Sequence, residues 1–263
     1  MLKFSRRSDD DRFTSFSAMP IAMSSVLITA GAILSASPSF AQTFTSQTVL
    51  ATASIYTPGY DSAPGGSTSA SSFALSAGSN RILTFTSVTG LTDTGGPTPI
   101  FGPDGGAYGY TTDISAYGGI SGVTDSDDLQ GYLVGLFVNG TIPNGQAAPA
   151  TLDFTGAFKN QASYSPLLNQ VFFIGDGLTG TGTGAAQQFF VPTGATTLYL
   201  GLVDGFSFTG NPDAYGDNSG SYSASFSVAS GSTTSPEPGA LFLFVVGAAT
   251  ARGGRIARRR RRS

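Results

Sequence analysis

L-Y-L-G-L-V-D-G-F-S-F-T-G-N-P-D-A-Y-G-D-N-S-G-S-Y-S-A-S-F-S-V, residues 198 to 228, carries the plan of the whole chain. Its last part alternates strictly. Tyr222, Ala224, Phe226 and Val228 fall on one face, and Ser221, Ser223, Ser225 and Ser227 on the other. That period of two specifies a half-buried β-strand. Residues 196–203 read as a second, more apolar strand. Between the two strands, residues 204–221 hold Asp204, Asp213, Asp217, Asn211, Asn218 and four glycines. Such residues favour turns, and their side chains cap turns through Asx hydrogen bonds. The same oxygens are what a hard cation binds: carboxylates, amide carbonyls and bent backbone.

Working outward, further strand signals occur at 48–56, 81–90, 132–138, 150–154, 170–174 and 188–191. In 81–90, Leu83, Phe85 and Ser87 share one face, with Ile82, Thr84, Thr86 and Val88 on the other. Residues 132–138 are almost wholly apolar, as in a strand covered on both faces. The phenylalanines at 85, 137, 154, 172, 189 and 226 are core candidates. Residues 58–72, rich in Gly, Ser, Pro and Ala, read as a mobile loop. Residues 91–128 read as a long loop-rich insertion, with G-P-D-G-G at 102–106 and D-S-D-D at 125–128. The D-S-D-D run lacks the glycine and distant glutamate of an EF-hand and is expected to be a solvated turn. Short strands joined by turn-rich connections predict an all-β fold, an antiparallel β-sandwich or jelly roll over residues 42–230.

Charge is distributed unevenly along the 263 residues. Between Gln42 and Ser235 the only cations are Arg81 and Lys159, against twelve aspartates and no glutamate, a formal charge of −10. Nucleic acid and acidic lipid are poor partners for such a domain, while divalent cations suit it. The chain has no His and no Cys. That excludes the usual zinc and copper sites, thiol chemistry, a Ser-His-Asp triad and disulfide staples. Asp125 and Asp128 could in principle serve acid–base chemistry, but nothing places them across a glycosidic bond. The chain is therefore expected to be non-enzymatic.

Both ends read as addresses. An apolar run at 24–36 follows Lys3, Arg6, Arg7 and Arg12 and precedes small residues at Ser39 and Ala41. This pattern predicts a secretory signal peptide over 1–41, cleaved after Ala41. Residues 231–235 are a polar linker. Residues 236–263 then hold Pro236, Glu237 and Pro238, thirteen mostly apolar residues, and a cluster ending in Arg258, Arg259, Arg260, Arg261 and Arg262. As a helix, thirteen residues reach about 20 Å, against roughly 30 Å of hydrocarbon. Arg252 and Arg255 would snorkel, and the arginine cluster would stay cytoplasmic.

This tripartite tail resembles the PEP-CTERM sorting signal of Gram-negative bacteria that make exopolysaccharide. The resemblance implies transient inner-membrane anchoring by a transmembrane sorting helix and cleavage near the P-E-P by an exosortase-type enzyme. It also implies delivery to the cell surface or extracellular matrix.

The centre of the chain carries a second resemblance. A strand ending in Asp204 is followed by Y-G-D-N-S-G-S at 215–221, and F-T-S-V-T-G (85–90), F-G-P-D-G (101–105) and L-V-G-L-F-V-N-G-T-I-P (133–143) precede it in order. Together these are similar to the calcium-dependent, galactose-binding bacterial lectins of the PA-I type. The resemblance implies a calcium site made by the Asp204 carboxylate, the Ala214 carbonyl, the Asp217 and Asn218 side chains, and the Thr89 carbonyl from an earlier loop. In that family sugar hydroxyls complete the ion's shell. This chain departs from the pattern by inserting residues 205–211, by having Asp217 for an asparagine and Ala214 for a threonine, and by lacking the sugar-contacting histidine. The expected function is a secreted, surface-sorted, non-enzymatic protein that binds carbohydrate, such as exopolysaccharide, through calcium. The alternative is a structural matrix or biofilm protein with no specific sugar.

Overall fold

A computed structural model describes residues 41–59, 63–96, 98 and 100–230. The expected signal peptide, except for Ala41, lies outside these residues, as do the linker and the sorting tail. Ala41 opens the first strand, opposite Ala229.

The all-β expectation holds. Among the described residues, helix occurs only as short 3-10 turns, and no helix is long and apolar enough to cross a membrane. Nine strands build two principal sheets: β1 (Ala41–Leu50), β2 (Ser71–Ala74), β3 (Arg81–Asp93), β4 (Val134–Val138), β5 (Ser163–Tyr164), β6 (Val171–Phe173), β7 (Gln188–Phe190), β8 (Thr197–Gly201) and β9 (Ser219–Ser230). The first sheet runs β1-β9-β3-β7-β5 and the second β6-β4-β8-β2. All pairs are antiparallel except β5 with β7.

The alternation in β9 has the predicted result: Tyr222, Ala224, Phe226 and Val228 are buried and the serines between them are not. They meet Phe73, Phe137, Leu198 and Leu200 of the second sheet in one core. Phe226 stacks on Phe44 at 4.7 Å and meets Phe73 edge-on at 5.1 Å. Burying each such side chain contributes roughly 1.5–3 kcal/mol. β4 reads as continuously apolar because both its faces are covered. Leu133 and Phe137 enter this core, while Val134, Leu136 and Val138 enter a second cluster with Tyr132, Phe154 and Phe173.

Three expectations need correction. The face pattern of 81–90 fails after Phe85. Phe226 pairs with Phe85 but Ser225 pairs with Ser87, so Thr86 is an extra, bulged residue. A one-residue bulge returns the next residues to the opposite faces, and Val88 is buried although it starts on the face of Ile82 and Thr84. The first strand is Ala41–Leu50 rather than 48–56. Finally, neither 58–72 nor 91–128 is unstructured where described. Thr68–Ser69 pairs with Ala53–Ser54. Thr112–Ile114 and Val123–Asp125 join Leu152–Asp153 and Thr209–Gly210 in a small four-stranded sheet. The pairs in that sheet are only two or three residues long, too short for a periodicity to be visible.

Candidate metal and ligand site

The loop between β8 and β9 folds around Asp204. The insertion that follows it does not carry Asp204 away from the motif. The Asp213 N–H donates to the Asp204 carbonyl at 3.1 Å, closing residues 205–212 into a side loop with its neck at 204 and 213. The side loop is pinned by Thr209–Gly210, which pairs in parallel with Asp113–Ile114. Tyr215, fully buried, holds the neck from inside. Its hydroxyl accepts the Asp204 N–H at 3.1 Å and donates to the Leu202 carbonyl at 3.3 Å. Asn218 fixes the other wall by donating its side-chain amide to the Ala51 carbonyl at 3.0 Å.

The side chains on this frame are unusual for a turn. Asp204 is 1% exposed and Asn218 is 9% exposed. Asp204 Oδ1 accepts the Gly205 N–H at 2.7 Å, whereas Asp204 Oδ2 and Asn218 Oδ1 make no hydrogen bond of good geometry, although the Asn218 amide lies near enough to stabilise the charged carboxylate. A buried oxygen without a partner costs about 1–3 kcal/mol. Burial pushes the Asp204 carboxyl up to about 7. The negative charges of Asp217 and Asp213 push in the same direction, and the Gly205 N–H and the Asn218 side chain pull against them.

Of the residues expected to make the site, the fold brings together Asp204 and Asn218, with Asp217 near enough to be felt electrostatically. Asp217 itself is exposed, at the end of the Tyr215–Asp217 turn. Ala214 sits immediately before that turn in the left-handed region, φ 66° and ψ 10°. Thr89 does not reach the site. It pairs with Ser223, five positions along β9 from Asn218, a separation of roughly 16 Å at the rise of a strand. The register instead puts Asp93, the last residue of β3, opposite Ser219. Asp93 is buried, with Oδ1 unpartnered, and the Ser219 hydroxyl donates to the Gly96 carbonyl at 2.7 Å. The sequence signal for this second loop was an aspartate at a strand end followed by Gly95-Gly96. Among the described residues, no three Asp, Glu, His or Cys side chains converge on one point. Amide and backbone oxygens would have to supply the rest of an ion's shell, as is usual for calcium.

A third segment, 63–67, supports the motif from below. The Tyr215 N–H donates to the Gly65 carbonyl at 3.0 Å. A Cβ on Gly66 would sit 2.6 Å from the Gly216 backbone, and Gly66 has φ +72°. Both sterics and backbone therefore require glycine there. Gly66→Ala is expected to lower stability by roughly 1–3 kcal/mol and to weaken any ion binding, checked by thermal melts with and without calcium.

Elsewhere, the D-S-D-D run is a solvated turn only at Ser126, Asp127 and Asp128, which are exposed. Asp125 is fully buried, and Lys159 Nζ lies 3.0 Å from Asp125 Oδ2 and 2.8 Å from Asp127 Oδ2. An ammonium therefore occupies the position between these two carboxylates. The domain's other cation, Arg81, is also committed, donating to the Ser76 and Ala195 carbonyls at 2.9 and 2.7 Å.

No protein-family model, curated protein or solved structure matches this chain.

The arrangement can do one thing well. It holds one carboxylate oxygen and one amide oxygen, both without partners, at the neck of an acidic loop.

Proposed function

We propose that the domain of residues 42–230 is a lectin-like jelly roll that binds carbohydrate through a calcium ion held at the neck of the 204–218 loop. The observation that carries this is the buried Asp204 with its unpartnered Oδ2, beside the equally unpartnered Oδ1 of Asn218. A protein has little reason to bury such oxygens unless something completes their coordination. Asp204 and Asn218 would hold the ion, the Ala214 carbonyl and Asp217 would flank it, and the 93–96 loop takes the place first given to Thr89. A bound calcium would supply positive charge and open coordination positions for vicinal hydroxyls. The chain's own part is to fix the two oxygens with Tyr215 and the Ala51 carbonyl.

The terminal signals support export, transient anchoring in the inner membrane of a Gram-negative bacterium and processing by an exosortase-type enzyme. Extracellular polysaccharide at the cell surface is then the natural ligand. A second reading, self-association in a matrix without a specific sugar, is favoured by β1. It lies at a sheet edge and is ten residues long without a charge. Such an edge is open to pairing with another strand.

A glycan array probed with and without chelator tests the proposal. Retention of particular glycans that disappears with chelator is expected. No retention, or retention indifferent to chelator, overturns the calcium lectin. Concentration-dependent oligomers in the same preparation would then favour the matrix reading.

A further inference from the structure

We propose that Phe206, on the 205–211 side loop, and Tyr110, which packs against Phe208 of that loop, are the contact residues of an aromatic platform on which a sugar ring of a neutral polysaccharide stacks beside the Asp204–Asn218 site. The inference rests on the carbohydrate reading above and names a contact that does not involve the ion.

The side loop is not needed to close the site, since its neck is already joined by the hydrogen bond between Asp213 and Asp204. What the loop adds is aromatic surface. Phe206 is 80% exposed, two residues after Asp204. Phe208 is buried against Tyr110 at 6.1 Å and Tyr108 at 6.3 Å, and the two tyrosines stack on each other at 6.1 Å. Both tyrosines remain nearly half exposed. Phe101 meets Tyr108 edge-on at 6.0 Å, so the cluster continues into the protein. The backbone is held in a costly form to achieve this. Ser207 and Phe208 both have positive φ, 55° and 56°, which a bulky residue rarely adopts. The Phe208 N–H to Gly205 carbonyl bond, at 2.8 Å, and the pairing of Thr209–Gly210 with Asp113–Ile114 keep it there.

Tyr108 connects this cluster to the loop beside the site. A Cβ on Gly95 would lie 3.0 Å from the Tyr108 hydroxyl, and the neighbouring Gly96 carbonyl accepts from Ser219, the residue after Asn218. Aromatic faces with hydroxyls at their edge match one ligand chemistry closely. A pyranose ring presents C–H bonds to the electron-rich face and keeps its hydroxyls for the tyrosines and solvent. The domain's formal charge of −10 disfavours acidic glycans and anionic lipid, leaving neutral sugars.

Affinity electrophoresis of the protein through gels containing galactan, dextran or xylan tests this, with calcium and with chelator. Retardation by at least one of these is expected. Phe206→Ala and Tyr110→Ala should each weaken it about tenfold, the scale of one aromatic contact, while melting temperature and calcium titration stay unchanged. No retardation by any of the three, or equal retardation of both variants and the parent, overturns the platform. So does Phe206-dependent binding to phosphatidylcholine vesicles with sugar binding unaffected, which would make the loop a lipid contact. Should calcium titration fail while retardation still depends on Phe206, the ion is wrong and the platform stands.

Discussion

Lys159→Ala is expected to destabilise the domain by about 3–5 kcal/mol at neutral pH, the cost of stranding a buried charge. Its ammonium lies 3.0 and 3.2 Å from the two oxygens of Asp125 and 2.8 Å from Asp127. Asp125 is fully buried, and burial, with a smaller push from the charge of Asp127, moves its carboxyl up. The Asp127 N–H and the Lys159 ammonium oppose that shift. Without the lysine, nothing cationic replaces it, because Arg81 is the only other positive side chain between residues 42 and 235. A carboxyl raised in the folded state binds protons that the unfolded chain has already lost. Stability of the variant therefore falls as pH rises through the folded-state value, and the deficit is smaller at pH 5 than at pH 7.5. Lys159→Met combined with Asp125→Asn should recover most of the loss, since no charge is then left buried. Urea melts at the two pH values measure this. A loss below about 1 kcal/mol would mean the pair behaves as an exposed salt bridge.

Asp204→Asn should act differently with and without calcium. Without calcium it should stabilise the protein at neutral pH. The parent carboxyl is raised from its ordinary value of 3.8 to about 7. The folded state thus favours the protonated form, and the parent loses roughly 4 kcal/mol of stability as pH climbs from about 4 to 7. Asparagine keeps an acceptor for the Gly205 N–H and has no charge to desolvate, so the slope should disappear. With calcium that gap shrinks. The parent gains about 2.7 kcal/mol at a calcium concentration a hundredfold above its dissociation constant, and the variant gains nothing. Melting curves against pH, with and without calcium, separate the two. A variant that still responds to calcium would remove Asp204 from the site.

The serine alternation of β9 was readable because one face of that strand is core and the other solvent. β4 was readable for the opposite reason, having both faces covered. The bulge at Thr86 was not readable, since the bulge is defined by the partner strand rather than by the residues of β3. The site was half readable. The motif that carries the lectin resemblance brings Asp204 and Asn218 to one loop neck, because the closing bond between Asp213 and Asp204 spans the insertion. Which residue of β3 lies beside that neck is not legible in the sequence, because only the register against β9 places Asp93 opposite Ser219 and Thr89 opposite Ser223. The role of Lys159 was hidden for the same reason, as it comes from a turn 32 residues beyond Asp127.

Calorimetric titration of the protein with calcium near pH 7, in two buffers of different ionisation enthalpy, tests the central claim most directly. One ion should bind per chain, with a rise in melting temperature. Protons should be released as the ion displaces them from Asp204, and Asp204→Asn should abolish both the heat and the release. A parent protein that shows neither calcium-dependent heat nor a melting shift would contradict the site.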